Sequence, residues 1–144
     1  MSSPEGEVRL NLNGAGERQT FAGAFLTDGF GAGVQHLAFQ TDDIFETSAQ
    51  LASAGFLRLK IAGNYYDDLK VRFGLTDSFV GDLRDGHILY DREGKSEYFQ
   101  IYSLPLFNGF FFEIVQRKGG YQGYGARNAP IRLAAQMHHS KSKA

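Results

Sequence analysis

The sequence predicts a single α+β module built in the order strand, helices, three strands. Three observations point there. The stretches 34–41, 98–104 and 110–117 read as strands, each with one apolar face and one face that carries polar residues. Amphipathic runs bounded by capping residues fill 42–84, and glycines stand at the joints. With 144 residues the chain can bury a real core but is short for two complete enzyme domains.

In chain order, Val8, Leu10 and Leu12 alternate with Arg9, Asn11 and Asn13, the pattern of a short half-buried strand ended by Gly14-Ala15-Gly16. Residues 19–27 read as one or two helical turns. Gly29, Gly31 and Gly33 then interrupt regular structure before a strand over 34–41. These glycines precede a strand, whereas phosphate loops follow one and open a helix, so a nucleotide-binding reading fails on context. Asp42 or Asp43 can cap the next helix, with Glu46 placed for a capping box and Gly55 as its stop. Asn64 reads as the cap of a second helix through Tyr65, Tyr66, Leu69 and Phe73, closed by Gly74, with Lys70 and Arg72 complementing its dipole. A third helix is expected over 77–84. Strands follow at 87–91, 98–104 and 110–117, and Pro130 fits the first turn of a terminal helix.

Composition narrows the function. A net charge of −1 without a basic stripe argues against nucleic acid. There is no cysteine, so no disulfide or thiolate chemistry is available and any metal must be held by imidazole, carboxylate or amide oxygen; a cytoplasmic setting is expected. No apolar run reaches the roughly 20 residues of a membrane span, and the N-terminus lacks the pattern of an export signal. The aromatic residues are 13 Phe and 7 Tyr, and several of them gather at the same strands as His36 and Glu113, which suggests an aromatic-lined pocket.

His36 and Glu113 are metal-capable groups inside otherwise apolar runs, and a carboxylate among phenylalanines needs a cation, hydrogen bonds or solvent to offset its desolvation. Residues two apart share a strand face. Val34, His36 and Ala38 therefore go together, as do Tyr98, Gln100 and Tyr102, and Phe111, Glu113, Val115 and Arg117. If these strands join one sheet, His36, Gln100 and Glu113 project into one concave pocket, while Leu37, Phe39, Phe99, Ile101, Phe110, Phe112 and Ile114 pack under the helix at 44–54. Bland readings stand beside this one: a satisfied structural histidine, and a buried ion pair between Glu113 and Arg117. His87 reads as a surface or capping residue, and His138 and His139 as part of a polar tail.

The stretches Gly31-Ala32-Gly33-Val34-Gln35-His36, Asn64-Tyr65-Tyr66-Asp67-Asp68-Leu69 and Phe111-Phe112-Glu113-Ile114-Val115-Gln116-Arg117, in this order and spacing, resemble 4-hydroxyphenylpyruvate dioxygenase. The ending Gly123-Tyr124-Gly125-Ala126-Arg127-Asn128-Ala129-Pro130 resembles the dioxygenase-like half of bacterial fusions whose other half is a 3-dehydroshikimate dehydratase. The resemblance implies the vicinal oxygen chelate fold, a glyoxalase/dioxygenase-like βαβββ module with a cupped mixed sheet and helices on its outer face. It implies residues 1–20 as the last strand and linker of a preceding module, 21–136 as the C-terminal module and 137–144 as a flexible tail.

By the same resemblance His36 and Glu113 are two of three Fe(II) ligands, the third histidine lying upstream, and Asn13, Gln100, Tyr102 and Phe111 contact substrate. The implied activity is oxidative decarboxylation of an aromatic α-keto acid by a longer parent, the fragment itself being inactive. Two departures favour an alternative, a noncatalytic structural or regulatory domain fused to a dehydratase: Asn128 is followed by Ala129 where the family has phenylalanine, and Phe21 stands where a glutamine is expected. A lone module leaves a sheet edge and an apolar rim free, so a homodimer through module pairing is expected.

Overall fold

The computed structural model describes residues 1, 3–4, 8–12, 14, 21–29 and 31–141. It divides into two compact units, Met1–Val34 and Gln35–Ala144. In the first, α1 spans Phe21–Asp28. The half-buried strand expected from Val8 to Asn13 does not form among the described residues. Instead the chain start folds back on itself, Leu10 N–H donating to the Met1 carbonyl and Ser3 N–H to that of Val8, each at 2.8 Å. Arg9 is an isolated bridge, and Val8, Leu10 and Leu12 are all exposed. Alternation marks a strand face only if a second layer covers it. Asn13 lies outside the described residues.

The second unit carries β1 (His36–Gln40), α2 (Ile44–Ser53), α3 (Gly63–Phe73), α4 (Asp77–Asp85), β2 (Leu89–Glu93), β3 (Ser96–Tyr102), β4 (Phe111–Lys118) and α5 (Ala129–Lys141). This is the expected βαβββ order. The sheet runs β1-β4-β3-β2, with β1 parallel to β4 and the other pairs antiparallel. Among the described residues no helix is long and apolar enough to cross a membrane.

Local chemistry sets the helix ends. Asp43 Oδ1 accepts from Phe45 N–H and Glu46 N–H, both at 3.0 Å, satisfying two of the donors that a helix start leaves open. The returning arm of a capping box is missing: Asp43 N–H donates to Thr41 Oγ1, and Glu46 accepts from Gln50 one turn on. Asn64 does not cap α3. The helix starts at Gly63 with extended Ala62 in the cap position, which leaves Asn64 already inside the first turn. Gly74 ends α3 in the left-handed region at φ 63, where a side chain would be strained. Thr76 caps α4 through Phe79 N–H. At the C-terminus α5 continues through Lys141, so residues 137–141, expected as tail, are helical.

The register sorts the sheet into two faces. Tyr102 pairs with Glu113, Gln100 with Val115, Tyr98 with Arg117 and His36 with Phe111, so these side chains share one face. On the other face Phe45 of α2 meets Phe79 and Phe99 edge-on at 5.9 Å, Phe79 meets Tyr90 at 5.6 Å, and Tyr90 meets Phe99 at 5.0 Å. Edge-to-face pairs of this kind contribute about 0.5–1.5 kcal/mol each beyond their buried area. The helical cover stops short of β1. Leu37 and Phe39 were expected under α2, yet they are 46% and 52% exposed, because α2 lies over β3 and β4 while β1 is the sheet edge.

Candidate metal centre

Glu113 organises the inner face. It is only 6% exposed, and its Oε1 accepts from Gln100 Nε2 and from the Tyr102 hydroxyl, both at 2.9 Å. Hydrogen bonds to a charged acceptor contribute about 1.5–3 kcal/mol each, enough to offset much of the cost of burying the carboxylate. Burial and the neighbouring Glu113 raise the Tyr102 phenol well above its ordinary range, so it remains a donor.

Glu113 Oε2 stays clear of this clasp and stands 3.6 Å from His36 Nε2. That is too long for a hydrogen bond. It is the spacing of two donors sharing one ion, since metal bonds of about 2.1 Å meeting at about 90–120° separate their donor atoms by about 3.0–3.6 Å. The imidazole is set by Phe111, whose ring stacks on it at 5.0 Å and 5° between planes. Burial, aided by the charge of Arg132, lowers the His36 pKa from 6.5 and outweighs the opposing pull of Glu113, which favours the neutral, ligating form. An imidazole and a carboxylate are ligand types suited to a divalent metal, so the pair could supply two donors to one. Among the described residues no cluster of three His, Cys, Asp or Glu side chains is placed to hold a metal.

A chain of hydrogen bonds fixes Gln100 from behind. Asn128 Nδ2 donates to Gln100 Oε1 at 2.9 Å, which turns the Gln100 amine toward Tyr102 and Glu113. The Tyr65 hydroxyl lies 3.0 Å from Asn128 Oδ1 and 3.1 Å from the Tyr90 carbonyl, and accepts from Tyr90 N–H at 2.8 Å. The loop at 118–125, rich in glycine and tyrosine, closes this end: Tyr121 stacks on Tyr98 at 4.9 Å and donates to the buried Asp91 at 2.8 Å. Gly125 closes against the sheet at φ 60, and a Cβ there would sit 2.5 Å from Gln100 Oε1 and 2.9 Å from Tyr98 Cε1.

Of the residues singled out by sequence, the structure brings His36, Glu113, Gln100, Tyr102 and Phe111 together; Asn13 lies outside the described residues. The bland partner for Glu113 is not used, since Arg117 lies 4.5 Å over the Tyr98 ring and donates to its hydroxyl at 3.3 Å. His87 faces elsewhere and accepts from Ile61 N–H. Sequence reasoning places Tyr65 only on the second helix and does not single out Tyr65, Asn128 or Arg132 as site residues. Their partners are remote in the chain, and only the glycine-bracketed stretch before Asn128 hinted at a backbone pressed against something.

No protein-family model matches the chain. It is 47% identical over 134 residues to a 3-dehydroshikimate dehydratase of Pseudomonas aeruginosa, covering 92% of this chain and 21% of that protein. It is 32% identical over 131 residues to a 4-hydroxyphenylpyruvate dioxygenase of Legionella pneumophila, covering 89% and 37%. Among solved structures, a xylose isomerase-like TIM barrel/4-hydroxyphenylpyruvate dioxygenase fusion protein matches with TM-score 0.70 and 49% identity, over 73% of this chain and 17% of that one. A mutant 4-hydroxymandelate synthase from Streptomyces coelicolor matches with TM-score 0.71 and 33% identity, over 82% and 34%. The chain thus spans about a fifth of the dehydratase's length and about a third of the dioxygenase's.

Two outcomes are expected. Gly125→Ala destabilises the protein by about 1–3 kcal/mol in urea denaturation, from left-handed strain and a contact with a glutamine that cannot swing aside; an unchanged midpoint contradicts the packing. The second concerns acid. His36 and His87 both have pKa values lowered by burial, so below 6.5 the unfolded chain binds more protons than the folded one. Their contribution to stability is present above pH 6.5 and is lost as pH falls through the lower folded values. Chelator-treated protein should lose denaturation midpoint between pH 7 and pH 5, and His36→Asn and His87→Asn should each flatten that loss. Parallel curves for all three proteins contradict it.

Proposed function

Because this chain belongs with the C-terminal, 4-hydroxyphenylpyruvate dioxygenase-like modules of vicinal oxygen chelate fold, we propose that it is the metal-binding module of a longer non-haem Fe(II) dioxygenase. The observation that carries this reading is the 3.6 Å approach of His36 Nε2 to the free oxygen of Glu113. His36 and Glu113 would hold the iron and a histidine outside this chain would complete the set. Bound there, iron supplies a Lewis-acidic centre with open positions for an α-keto acid and dioxygen. The chain's own residues hold that centre in shape. Gln100 and Tyr102 fix one carboxylate oxygen and leave the other free, Phe111 orients the imidazole, and Asn128 with Tyr65 keeps the Gln100 amide from flipping. Orienting partners of this kind around metal ligands typically matter 10–100-fold for affinity or activity.

The proposed substrate is an aromatic α-keto acid, and the isolated chain is proposed to be inactive. The second reading is a noncatalytic domain attached to a dehydratase, favoured by Ala129 immediately after Asn128, where the resembled family has phenylalanine. Anaerobic Fe(II) titration of the full-length protein, with His36→Ala and Glu113→Ala beside it, tests the metal claim: each substitution should abolish one site per chain, and unchanged stoichiometry in both removes it. Oxygen consumption with a panel of aromatic α-keto acids then separates the readings, uptake supporting the enzyme and none supporting the noncatalytic domain.

The chain is also proposed to pair with a second copy through its free edge. Among the described residues β1 is the edge strand with no strand partner on its outer side, and it carries exposed Leu37 and Phe39. Sedimentation should show a dimer that Leu37→Lys with Phe39→Lys converts to monomer, and a wild-type monomer at high concentration overturns this.

A further inference from the structure

Arg132 is built into the inner face in a way the metal reading does not use. It lies on the first turns of α5, and Gln136 one turn later accepts from its Nη1 at 2.8 Å. Gln136 is itself only 1% exposed, so the anchor is fixed. The guanidinium carbon stands 5.1 Å from the Phe111 ring centroid and 5.7 Å from that of Tyr102. These are the two rings that set the metal-capable pair, Phe111 stacking on His36 and Tyr102 donating to Glu113. The cation is close enough for its charge to disfavour protonation of His36.

Other arginines of this unit have structural partners: Arg58 holds Ser48 and the Gly86 carbonyl, Arg84 pairs with Asp67, Arg92 holds the Phe73 carbonyl, and Arg127 approaches Asp91. Among the described residues Arg132 makes no ion pair, and its one side-chain hydrogen bond uses one of five guanidinium donors. The side chain is half-buried, so the remaining donors stay reachable. Guanidinium held by stacking and by one hydrogen bond is pre-organised for a planar, two-oxygen anion, because its fork matches a carboxylate.

We propose that Arg132 is the anion-recognising residue of the site, and that the ligand is an aromatic acid carrying a carboxylate addressed to this guanidinium as well as the group that meets the metal. The placement of the ligand rests on the metal reading above, but the carboxylate contact does not need the ion. It is therefore tested on chelator-treated full chain with benzoate and benzamide, which share a ring and differ in charge, by NMR titration. Wild type should bind benzoate about tenfold or more tightly than benzamide. Arg132→Met should erase that preference, and Arg132→Lys, which keeps the charge and loses the fork, should retain part of it, each variant showing a wild-type circular dichroism spectrum. If Arg132→Met does not fold, Arg132→Lys alone decides: a reduced preference supports the contact and an undiminished one overturns it. Equal or undetectable binding of the two probes by wild type, or a preference unchanged in Arg132→Met, likewise overturns the proposal. Preference for benzoate alongside failed Fe(II) titration sinks the metal reading alone; the reverse sinks Arg132 alone.

Discussion

A carboxylate buried on an aromatic sheet face has to be met by donors, and the way Glu113 is met shapes this whole module. Left unmet, the group would destabilise the fold by more than most single contacts stabilise it. Gln100 and Tyr102 meet one oxygen only. The asymmetry leaves the second oxygen directed at His36, 3.6 Å from its Nε2. Everything behind it follows from keeping Gln100 in one orientation: Asn128 must accept and donate in the right sense, Tyr65 must reach across from α3, and the loop at Gly125 must come close enough to exclude a side chain.

Period-two alternation was enough to read which residues share a face, since strand geometry alone decides that. His36, Gln100, Tyr102, Phe111 and Glu113 were legible for this reason, and Asp43 as a cap for a similar local one. Alternation says nothing about which faces are covered. It placed Leu37 and Phe39 under α2, whereas β1 turns out to be an edge beyond the helix's reach, and it read a strand at Val8 to Asn13 where the chain pairs with its own first residues. Tyr65 reaches Asn128 across 63 positions and Asn128 reaches Gln100 across 28. No local pattern encodes such contacts. Asn64 shows the limit at helix ends, where a good capping residue lost to a start two positions earlier.

Likeness to both a dehydratase and a dioxygenase is consistent with a module that occurs in fused and unfused settings, and the fusion structure carries both names in one chain. The inner face divides its supporting contacts between the sheet and the terminal helix. The Glu113 clasp depends on β3, β4 and the loop before α5, whereas Ala129 and Arg132 lie on α5 itself. The hydrogen bonds that hold Glu113 thus come from outside the helix that carries Ala129 and Arg132.

The central claim is that one imidazole nitrogen and one unclasped carboxylate oxygen grip a single ion. A crystal structure of the full-length protein loaded anaerobically with Fe(II), with anomalous scattering recorded at the iron edge, tests it most directly. The account predicts one peak lying about 2.1 Å from both His36 Nε2 and Glu113 Oε2. A peak at His138 and His139 instead, or an iron bound elsewhere with these two side chains in contact only with each other, contradicts it.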